Sequence, residues 1–569
     1  MKNIEIAWVF NEMADLLEIK GADFFKVKAY RNGAKTIMRL EKPVAELVAN
    51  GTFSKLPGIG KAITDKTKEL LETGTCKAHQ ELLAEIPRGV LEIRALPGIG
   101  PKKARLIFEK LGIASLAELE VAANKREIRK LPGMSAKSEY DIARNINVFR
   151  NGTDKVILGF ARDLGIELRE FLLSLPGVKN VEFAGSTRRW KETVRDLDMV
   201  AATEDVPELI DALITHPKVT KVLEREENRV RVMTFWGVPV DLTVVTPDRF
   251  ITTWHRSTGS KKHYQHLQRI AEQKNFQLSH KYIKDAAGQP LPVESEADIY
   301  QALGMTYVPA ELREDNGEIE AAQQHALPNL VAVSDIKGDL HTHTHWSDAA
   351  LSIEEMVAGA KERGYSYLAI TDHSGSLKIA NGLNVERLHK QGKEIDKLNE
   401  QQQDFTILKG VECDILADGS LDHHDDILRD LDVVVASVHS AFKQDKETMT
   451  NRIVSAIEHE HVDIIGHVSG RLLGRREGYE LDIDRVLEAA AKYNTILEIN
   501  ASPDRLDLSE ENARKAKEMG IRIAINTDAH DLKRLNEMEY GVSVARRAWL
   551  TKDDIINTKD VDQLLKELR

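Results

Sequence analysis

Three carboxylates in strand-like surroundings are the first residues whose type and spacing suit a chemical reaction. Asp196 and Asp198 lie two residues apart, and Asp241 lies in a later apolar segment. Because side chains alternate along a strand, Asp196 and Asp198 would project from the same face. With Asp241 on a neighbouring strand, they would hold two Mg²⁺ or Mn²⁺ ions that activate a hydroxyl and neutralise a phosphate leaving group. An isolated Asp-x-Asp could equally be a solvated strand face.

The residues just upstream favour the metal interpretation. Gly185-Ser186-Thr187-Arg188-Arg189 form a candidate turn before the aspartate pair. A Gly-Ser turn can offer N–H and hydroxyl groups to the β- and γ-phosphates of a nucleotide, and Arg189 can pair with phosphate oxygens. The turn and the carboxylates together indicate a metal-dependent nucleotide site.

A second set of candidate residues is rich in histidine and aspartate. Most of them follow an apolar, strand-like segment, and these segments alternate with helical ones. In a barrel of parallel strands, residues at that position converge at the C-terminal rim. Histidine and carboxylate ligands gathered there suit Zn²⁺ or Mn²⁺. The clusters occupy residues 339–348, 371–373, 410–412, 437–439, 466–467 and 526–530.

A repeated pentapeptide in the first 150 residues suits phosphate binding. LPGIG occurs at residues 56–60 and 96–100, and a weaker copy, LPGMS, at 131–135. Glycine lets a backbone approach a phosphate closely, and the lysines after each copy add positive charge. Two near-identical copies in a basic segment favour DNA binding without sequence readout over ordinary helix turns. The candidate DNA-binding residues are Gly58, Gly60, Lys61, Gly98, Gly100 and Lys102.

Charge is distributed unevenly along the 569 residues, whose net charge is -12. Residues 1–150 contain 26 Lys and Arg against 19 Asp and Glu (+7), whereas residues 331–569 contain 31 against 45 (-14). A basic module suits a phosphate backbone, and an acidic module suits metal binding. Two cysteines and no apolar run of transmembrane length predict a cytoplasmic, nucleoid-associated protein without a disulfide framework or a membrane partner.

Residues 1–315 resemble the family X DNA polymerases. The resemblance rests on the glycine-rich repeats, on the turn with its carboxylates, and on Thr258-Gly259-Ser260, which is similar to the thumb motif that packs against an incoming nucleotide. It implies catalysis by Asp196 and Asp198 together with Asp241. It also implies nucleotide contacts by Gly185, Ser186, Arg189, Thr258 and Gly259.

Some features of this half leave its activity open. Lys66 matches the Schiff-base lysine of relatives with 5′-deoxyribose phosphate lyase activity, but Ala62 replaces a supporting lysine, so Lys66 could instead bind phosphate or face solvent. Arg256, Ser257 and Tyr264 depart from the residues that many relatives carry around the thumb motif. These departures leave open a polymerase half that only holds DNA.

Residues 333–569 resemble the polymerase and histidinol phosphatase (PHP) domains. The resemblance implies three ions, Mn²⁺ or Zn²⁺, that activate water for attack on phosphorus, with Arg471 as a candidate phosphate ligand. The residues that match the ligands of the family are His341, His343, Asp348, His373, Glu412, His439, His467, Asp528 and His530.

The two resemblances imply one multidomain architecture: an all-α helix-hairpin-helix N-terminal region, an α+β nucleotidyltransferase palm with a helical thumb, and a C-terminal (β/α)7-type barrel. The implied segments are a lyase-like helical domain at 1–80, fingers at 81–150, palm at 151–250, thumb at 251–315, a linker at 316–332 and the PHP domain at 333–569.

The function that the two resemblances imply is gap-filling DNA synthesis in repair, with a 3′→5′ exonuclease in the PHP domain. In the family this exonuclease is often accompanied by abasic-site endonuclease and 3′-phosphatase activities. Gapped or nicked duplex DNA, 3′ ends and dNTPs are the expected partners, and a monomer is expected. Two alternatives stay open: a nuclease whose polymerase half is a DNA-binding platform, and a small-molecule phosphatase fused to a DNA-binding module.

Overall fold

The computed structural model describes residues 1, 3–38, 40, 42–96, 99–135, 138–139, 142–143, 146, 155–216 and 218–568. These residues divide into two compact units. The first unit comprises Met1–Lys155, Glu170–Val181 and Ala201–Val245, and the second comprises Val156–Arg169, Glu182–Val200 and Thr246–Arg569.

The N-terminal part of the first unit is helical, as the sequence predicts. Its helices pack around one apolar core that includes Phe10, Leu70 and Ile107. Glycines that adopt a positive φ end two of the helices, at Gly74 and Gly112, because only glycine takes that conformation without a Cβ clash. The helices are α1 (Asn3–Lys20), α2 (Phe24–Met38), α3 (Val44–Ala49), α4 (Lys61–Thr73), α5 (Lys77–Glu85), α6 (Arg88–Ala95), α7 (Pro101–Leu111) and α8 (Leu116–Asn124).

A five-stranded sheet follows, where the sequence predicts alternating strands. The strand order is β2-β4-β7-β6-β5, and β5, β6 and β7 pair antiparallel. Helix α11 covers the sheet with four buried aliphatic residues. The elements of this region are β1 (Val156–Ile157), α9 (Leu158–Leu173), β2 (Asn180–Phe183), α10 (Gly185–Arg188), β3 (Thr193–Val194), β4 (Leu197–Ala202), α11 (Val206–Ile214), β5 (Val219–Arg225), β6 (Arg229–Thr234) and β7 (Pro239–Val245).

The thumb region of the second unit is mainly helical and has its own apolar core, which contains Leu267 and Tyr300. Ser260 begins one of its helices by accepting a hydrogen bond from the backbone N–H of His263 at 3.1 Å. Its elements are α12 (Phe250–Thr258), α13 (Lys261–Gln273), β8 (Gln277–Leu278), β9 (Ile283–Lys284), α14 (Glu296–Ala302) and α15 (Glu318–Gln323).

The segment 316–332 is not the unstructured linker that its composition predicts. It contains α15, whose Ile319 and Ala322 are fully buried in the thumb core. Glu318 is buried as well, and its carboxylate accepts from Nδ1 of His263 at 2.6 Å and from the backbone N–H of Asp315 at 2.7 Å. These hydrogen bonds compensate a buried charge that the sequence alone marks as a surface residue.

The remaining part of the second unit is a ring of seven parallel strands in sequence order, which confirms the predicted barrel. An isolated parallel bridge between Thr342 and Ala529, just beyond the first and last strands, nearly closes the ring. Side chains alternate along each strand, so Tyr367 and Ala369 fill the interior while Leu368 and Ile370 pack against the outer helices. The strands are β10 (Gly338–Asp339), β11 (Tyr367–Ile370), β12 (Thr406–Asp414), β13 (Val433–Ser437), β14 (Ile464–Ile465), β15 (Ile496–Asn500) and β16 (Ile523–Asn526).

Helices cover the outside of this ring, as expected for strands linked by crossover connections. Several begin with a side-chain cap, for example Ser352, which accepts a hydrogen bond from the backbone N–H of Glu355 at 3.2 Å. The helices are α16 (Ile353–Glu362), α17 (Val385–Asn399), α18 (Asp425–Leu428), α19 (Lys446–Ile457), α20 (Ile483–Tyr493), α21 (Glu510–Glu518), α22 (Met538–Arg547) and α23 (Val561–Glu567). Among the described helices, none combines the length and the apolar character that a bilayer crossing requires.

Candidate metal centre and nucleotide site

The barrel gathers the predicted metal ligands at the carboxyl ends of its strands. His341 follows β10, His373 follows β11, and Glu412 lies near the end of β12. His467 and Asp528 follow β14 and β16 in the same way. Because all seven strands are parallel, these positions share one rim of the ring.

Glu412 occupies the middle of this cluster. Its side chain is 1% exposed, and Nδ1 of His373 lies 2.6 Å from Oε2. On Oε1 converge Nε2 of His467 at 3.1 Å, of His439 at 3.3 Å and of His341 at 3.4 Å. One carboxylate shared by four imidazoles is suited to link neighbouring ions.

The possible ligand atoms form three overlapping groups, each with atoms within 4.8 Å of one another. Two residues, His343 and His373, each belong to two groups, so the groups are parts of one centre. All nine predicted ligands therefore lie together, with His467 joined through Glu412. The groups are His343, Asp348, His373 and His530; His341, His343 and Asp528; and His373, Glu412 and His439.

The chemistry of the donors fits divalent metal ions. Nε2 of His341 and Nε2 of His343 are buried without a hydrogen bond to any described residue. They lie instead near carboxylate oxygens, 3.4 Å from Glu412 and 3.2 Å from Asp528. Buried nitrogens and carboxylates that converge in this way are stabilised by a cation among them. The cluster is a divalent metal site.

Electrostatics in the cluster keep its carboxylates ionised. Burial alone would raise the pKa of Glu412, but His439, His341 and other imidazoles hold it well below its usual value. Burial lowers the pKa of His343 to about 4, helped by the neighbouring His530. His343 is therefore a neutral imidazole beside Asp528, whose pKa the imidazoles of His341 and its neighbours hold well below the usual value against the effect of burial, and this is the protonation state that binds a metal ion.

Several residues that orient the ligands are not among the predicted site residues. Glu498 is fully buried and accepts from Nδ1 of His341 at 2.7 Å and from the backbone N–H of His467 at 2.7 Å. Asp414 lies 2.5 Å from Nδ1 of His439. Such carboxylates fix the tautomer and direction of a ligating imidazole. An acid inside an otherwise apolar strand, Leu497-Glu498-Ile499, is the sequence signal that could have identified Glu498.

Arg471, the candidate phosphate ligand, has its guanidinium engaged within the protein. It contacts Glu192 at 2.7 Å and donates to the backbone carbonyls of Arg505, at 2.9 Å, and Leu506. Arg505 lies closer to the metal ligands, with Nε 3.9 Å from Oδ2 of Asp528.

The second unit also contains the Gly-Ser turn and two of the three polymerase-like carboxylates. Asp196 directly precedes β4, and Asp198 is the second residue of that strand. The backbone N–H of Ala184 donates to the carbonyl of Asp198 at 2.8 Å. Gly185 has φ +52°, and a Cβ there would lie 1.8 Å from Oδ2 of Asp198. The turn therefore packs directly on the carboxylate, and only glycine leaves room for it.

Ionic contacts fix the turn to the thumb. Nη1 of Arg188 donates to Oγ1 of Thr258 at 2.6 Å, and the same guanidinium forms two hydrogen bonds with Glu296. Arg189 donates from Nε to Glu314 at 2.9 Å and from Nη1 to the carbonyl of Thr258 at 2.7 Å. Two of the guanidinium nitrogens of Arg189 are thus occupied by the protein itself.

The third carboxylate, Asp241, lies on β7 in the first unit and is nearly buried. Its Oδ1 accepts from Nε of Arg229 at 2.8 Å, and its Oδ2 accepts from Nη2 of the same residue. The hydrogen bonds with Asp241 raise the pKa of Arg229.

The glycine repeats adopt matching backbone conformations. Gly60 and Gly100 precede α4 and α7 with φ and ψ of -88° and 175°, and of -87° and 177°. Neither helix start has a side-chain cap, and a Cβ at either glycine would meet open space. Uncapped N–H groups at a helix start are an anion site, followed here by Lys61 and Lys102. Gly58 adopts φ +80°, and Gly98 lies outside the described residues.

Lys66 lies on α4, one turn beyond the first glycine repeat. Its Nζ is 5.9 Å from the ring centre of Tyr30 on α2, a distance at which a cation is attracted to an aromatic face. Tyr264, which departs from the family pattern, is buried in the thumb core with Arg256 over its ring at 4.5 Å.

These features define a class of protein: a DNA-binding helical region and a polymerase-type thumb joined to a metal-binding PHP barrel. Family models agree over each part. They match a helix-hairpin-helix domain at residues 1–76, a SAM-like helix-hairpin-helix tandem at 90–145, a DNA polymerase beta thumb at 253–314 and a PHP domain at 339–502.

Relatives narrow this class to one family. The chain is 38% identical over 572 residues to the DNA polymerase/3′-5′ exonuclease PolX of Bacillus subtilis (strain 168), and the match covers all of both proteins. It therefore belongs to the PolX family. Over 41% of its length it is also 36% identical to a probable phosphatase of Thermoanaerobacter sp. (strain X514), covering 94% of that protein. A probable phosphatase of Shewanella sediminis is 30% identical over 38% of the chain.

Proposed function

We propose that this protein fills short gaps in DNA during repair and trims 3′ ends with its PHP barrel. The observation that carries the proposal is the cluster of histidine and carboxylate side chains in the barrel of a chain that matches a named polymerase/exonuclease along its whole length. Gap filling needs a clean 3′-hydroxyl, and a tethered phosphoesterase supplies it at high effective concentration.

In the polymerase half, Asp196, Asp198 and Asp241 are the proposed ligands of Mg²⁺ or Mn²⁺, which would supply activation of the 3′-hydroxyl and charge neutralisation on the triphosphate. Gly185 and Ser186 would offer the N–H and hydroxyl groups of their turn to the phosphates of a dNTP. Because Arg189 is already held by Glu314 and by the backbone of Thr258, its role is to support this turn.

In the PHP barrel, the nine gathered residues would hold three Mn²⁺ or Zn²⁺ ions. These ions would supply Lewis-acid polarisation of the phosphodiester and a low pKa for water. Glu498 and Asp414 would keep the imidazoles of His341 and His439 in the ligating tautomer through their Nδ1 hydrogen bonds. Abasic-site endonuclease and 3′-phosphatase activities belong to the same proposal, because each hydrolyses a phosphoester bond of DNA.

The helical region would bind the DNA backbone through the uncapped starts of α4 and α7 and through Lys61 and Lys102. Lys66 is proposed as the Schiff-base lysine of a lyase step, and its conformation beside Tyr30 is compatible with approach to a sugar phosphate. The six sequence segments given above are the proposed domain division, with 316–332 joined to the thumb. The proposed active form is a monomer.

A gapped, 5′-phosphorylated duplex incubated with Mn²⁺ and dNTPs tests this function. The Asp196→Ala variant should lose primer extension and keep 3′ shortening, whereas His341→Ala should lose 3′ shortening and keep extension. A wild-type protein that shortens the primer but never extends it, even at high dNTP concentration, would reduce the polymerase half to a DNA-binding platform.

A small-molecule phosphatase is the second candidate, favoured by the match of the barrel to probable phosphatases. Hydrolysis of a free phosphomonoester by the wild-type protein, with no shortening of DNA, would establish this alternative. Hydrolysis of both substrates, lost together in His341→Ala, would instead show one metal centre with a broad range of phosphoester substrates.

A further inference from the structure

The segment that follows the Gly-Ser turn lies against the PHP barrel. Nη1 of Arg547, at the end of α22, donates to the backbone carbonyl of Arg189 at 2.7 Å. Nζ of Lys191 lies 3.2 Å from Glu510 on α21. Through these contacts, helices of one catalytic domain hold the backbone of the other.

The guanidinium of Arg547 is held by other hydrogen bonds besides the one to the carbonyl of Arg189. Its side chain is 3% exposed, and its guanidinium forms two hydrogen bonds with Glu510, one of them at 2.9 Å from Nη2. Nη1 also donates to the carbonyl of Glu311 at 3.0 Å. Because a planar guanidinium with several fixed hydrogen bonds has little freedom to move, the carbonyl of Arg189 is bound at a defined point.

The backbone conformation of the residue after Arg189 also depends on contacts with the barrel. Trp190 has φ +56°, a left-handed conformation that is uncommon for a residue with a large side chain. Its ring meets the ring of Tyr540, also on α22, edge to face at 5.4 Å, and the guanidinium of Arg162 stacks on it at 3.6 Å. Packing against the barrel therefore stabilises the backbone conformation in which the turn ends.

Any shift of this turn would reach the polymerase carboxylates. The backbone carbonyl of Gly185 accepts from the N–H of Arg189 at 3.2 Å, so the two ends of the turn move together. At its other end the turn is in direct contact with Asp198, where even a methyl group at Gly185 would not fit. The path from Arg547 to the carboxylate thus passes through one short, closely packed helix.

We propose that Arg547, a residue of the PHP barrel, is a positioning residue for nucleotide addition in the polymerase half. The inference rests on the proposed polymerase function and adds to it a dependence of the nucleotide-binding turn on the barrel. Arg547 does not contact substrate; it fixes the carbonyl of Arg189, and through it the turn that receives the triphosphate. The metal centre of the barrel does not take part in this role.

The test compares full-length Arg547→Gln with a matched neighbour, Arg546→Gln. Arg546 lies on the same helix and also joins the barrel to the thumb, through Glu311 at 2.6 Å and the carbonyl of Val331 at 3.0 Å, but no hydrogen bond or ion pair in the described structure joins it to the turn. A second variant, Glu510→Gln, weakens the anchor of Arg547 and also the contact of Glu510 with Lys191, which lies two residues after Arg189. Single-nucleotide incorporation on gapped DNA, 3′ shortening and thermal unfolding are measured for each protein.

Arg547→Gln should lower kcat/KM for dNTP incorporation about 10- to 100-fold, the range for displaced catalytic groups, with 3′ shortening within about two-fold of wild type. Glu510→Gln should lower the same kcat/KM to a smaller extent. Arg547→Lys should retain part of the activity that Arg547→Gln loses, and Arg546→Gln should incorporate dNTPs at the wild-type rate. Equal losses in Arg547→Gln and Arg546→Gln, or wild-type incorporation in both Arg547→Gln and Glu510→Gln, would overturn the proposal. If the wild-type protein, like Asp196→Ala, does not extend the primer at all, the proposed polymerase function is wrong, and this inference is then wrong as well.

Discussion

Replacing Gly185 with alanine should stop primer extension while leaving the metal centre of the barrel intact. A Cβ at this position would lie 1.8 Å from Oδ2 and 2.7 Å from Cγ of Asp198, distances that atoms do not adopt. The carboxylate or the turn must therefore move by about 1 Å or more, and a displacement of that size costs about 100-fold in rate. The positive φ adds about 1–2 kcal/mol of backbone strain to the folded state.

The assay is single-nucleotide incorporation on gapped DNA under saturating dNTP, with 3′ shortening of the same primer as an internal control. Gly237→Ala is the matched variant, because Gly237 has φ +73° and a Cβ there would meet open space. It should lose stability to a similar degree and keep incorporation. If Gly185→Ala incorporates as fast as Gly237→Ala, the close approach of Gly185 to Asp198 does not position the carboxylate for catalysis.

Three further changes test other parts of the structure. Glu498→Gln should weaken Mn²⁺ binding about 10- to 100-fold, because it replaces the charged acceptor of the Nδ1–H of His341 with a neutral amide; equilibrium dialysis measures this, and unchanged affinity would contradict it. Glu412→Gln should abolish 3′ shortening and keep primer extension, since this carboxylate joins the imidazole groups; loss of both activities on a gel would argue against separate sites. Glu296→Gln should lower the free energy of unfolding by about 3–5 kcal/mol in urea titrations, because it leaves the fully buried Arg313 without its carboxylate. Burial alone would raise the pKa of Glu296, but Arg313 holds it well below its usual value of 4.5, so its contribution is complete above that pH and declines as the pH falls towards the folded value. Wild type and variant should therefore converge in stability in acid, and a constant difference would refute the assignment.

The convergence of the candidate metal ligands could be predicted from the sequence, because most of them obey a simple rule. His373 follows the apolar strand β11 and Glu412 lies near the end of β12, and parallel strands bring such positions to one rim. Glu498 was not predicted, although it lies as close to the end of β15 as Glu412 does to the end of β12, and its place within the apolar segment Leu497-Glu498-Ile499 is a signal of burial. Its role is visible only when its burial and its hydrogen bond to His341 are known.

The thumb and the contact between domains were harder to predict. Residues 316–332 have the composition of a linker. They are ordered by the buried pair of Glu318 and His263, two residues that lie far apart in the chain. Arg189 has the sequence context of a phosphate ligand, yet Glu314 and Arg547 occupy its guanidinium and its carbonyl. Local pattern carries no information about pairs that lie far apart in the chain, and pairs separated by 55, 125 and 358 residues decide these two cases.

The hydrogen bond from Arg547 to Arg189 joins residues 358 positions apart, and this separation has a consequence in time. At ribosomal speeds of about 5–20 residues per second, the turn is made roughly 20–70 seconds before the arginine that binds its carbonyl. During that interval Trp190 has no Tyr540 to pack against. A nascent or truncated chain can thus complete most of its polymerase half and still lack the final contact of the turn. Synthesis of the last helices of the barrel then becomes the step at which both halves of the protein mature together.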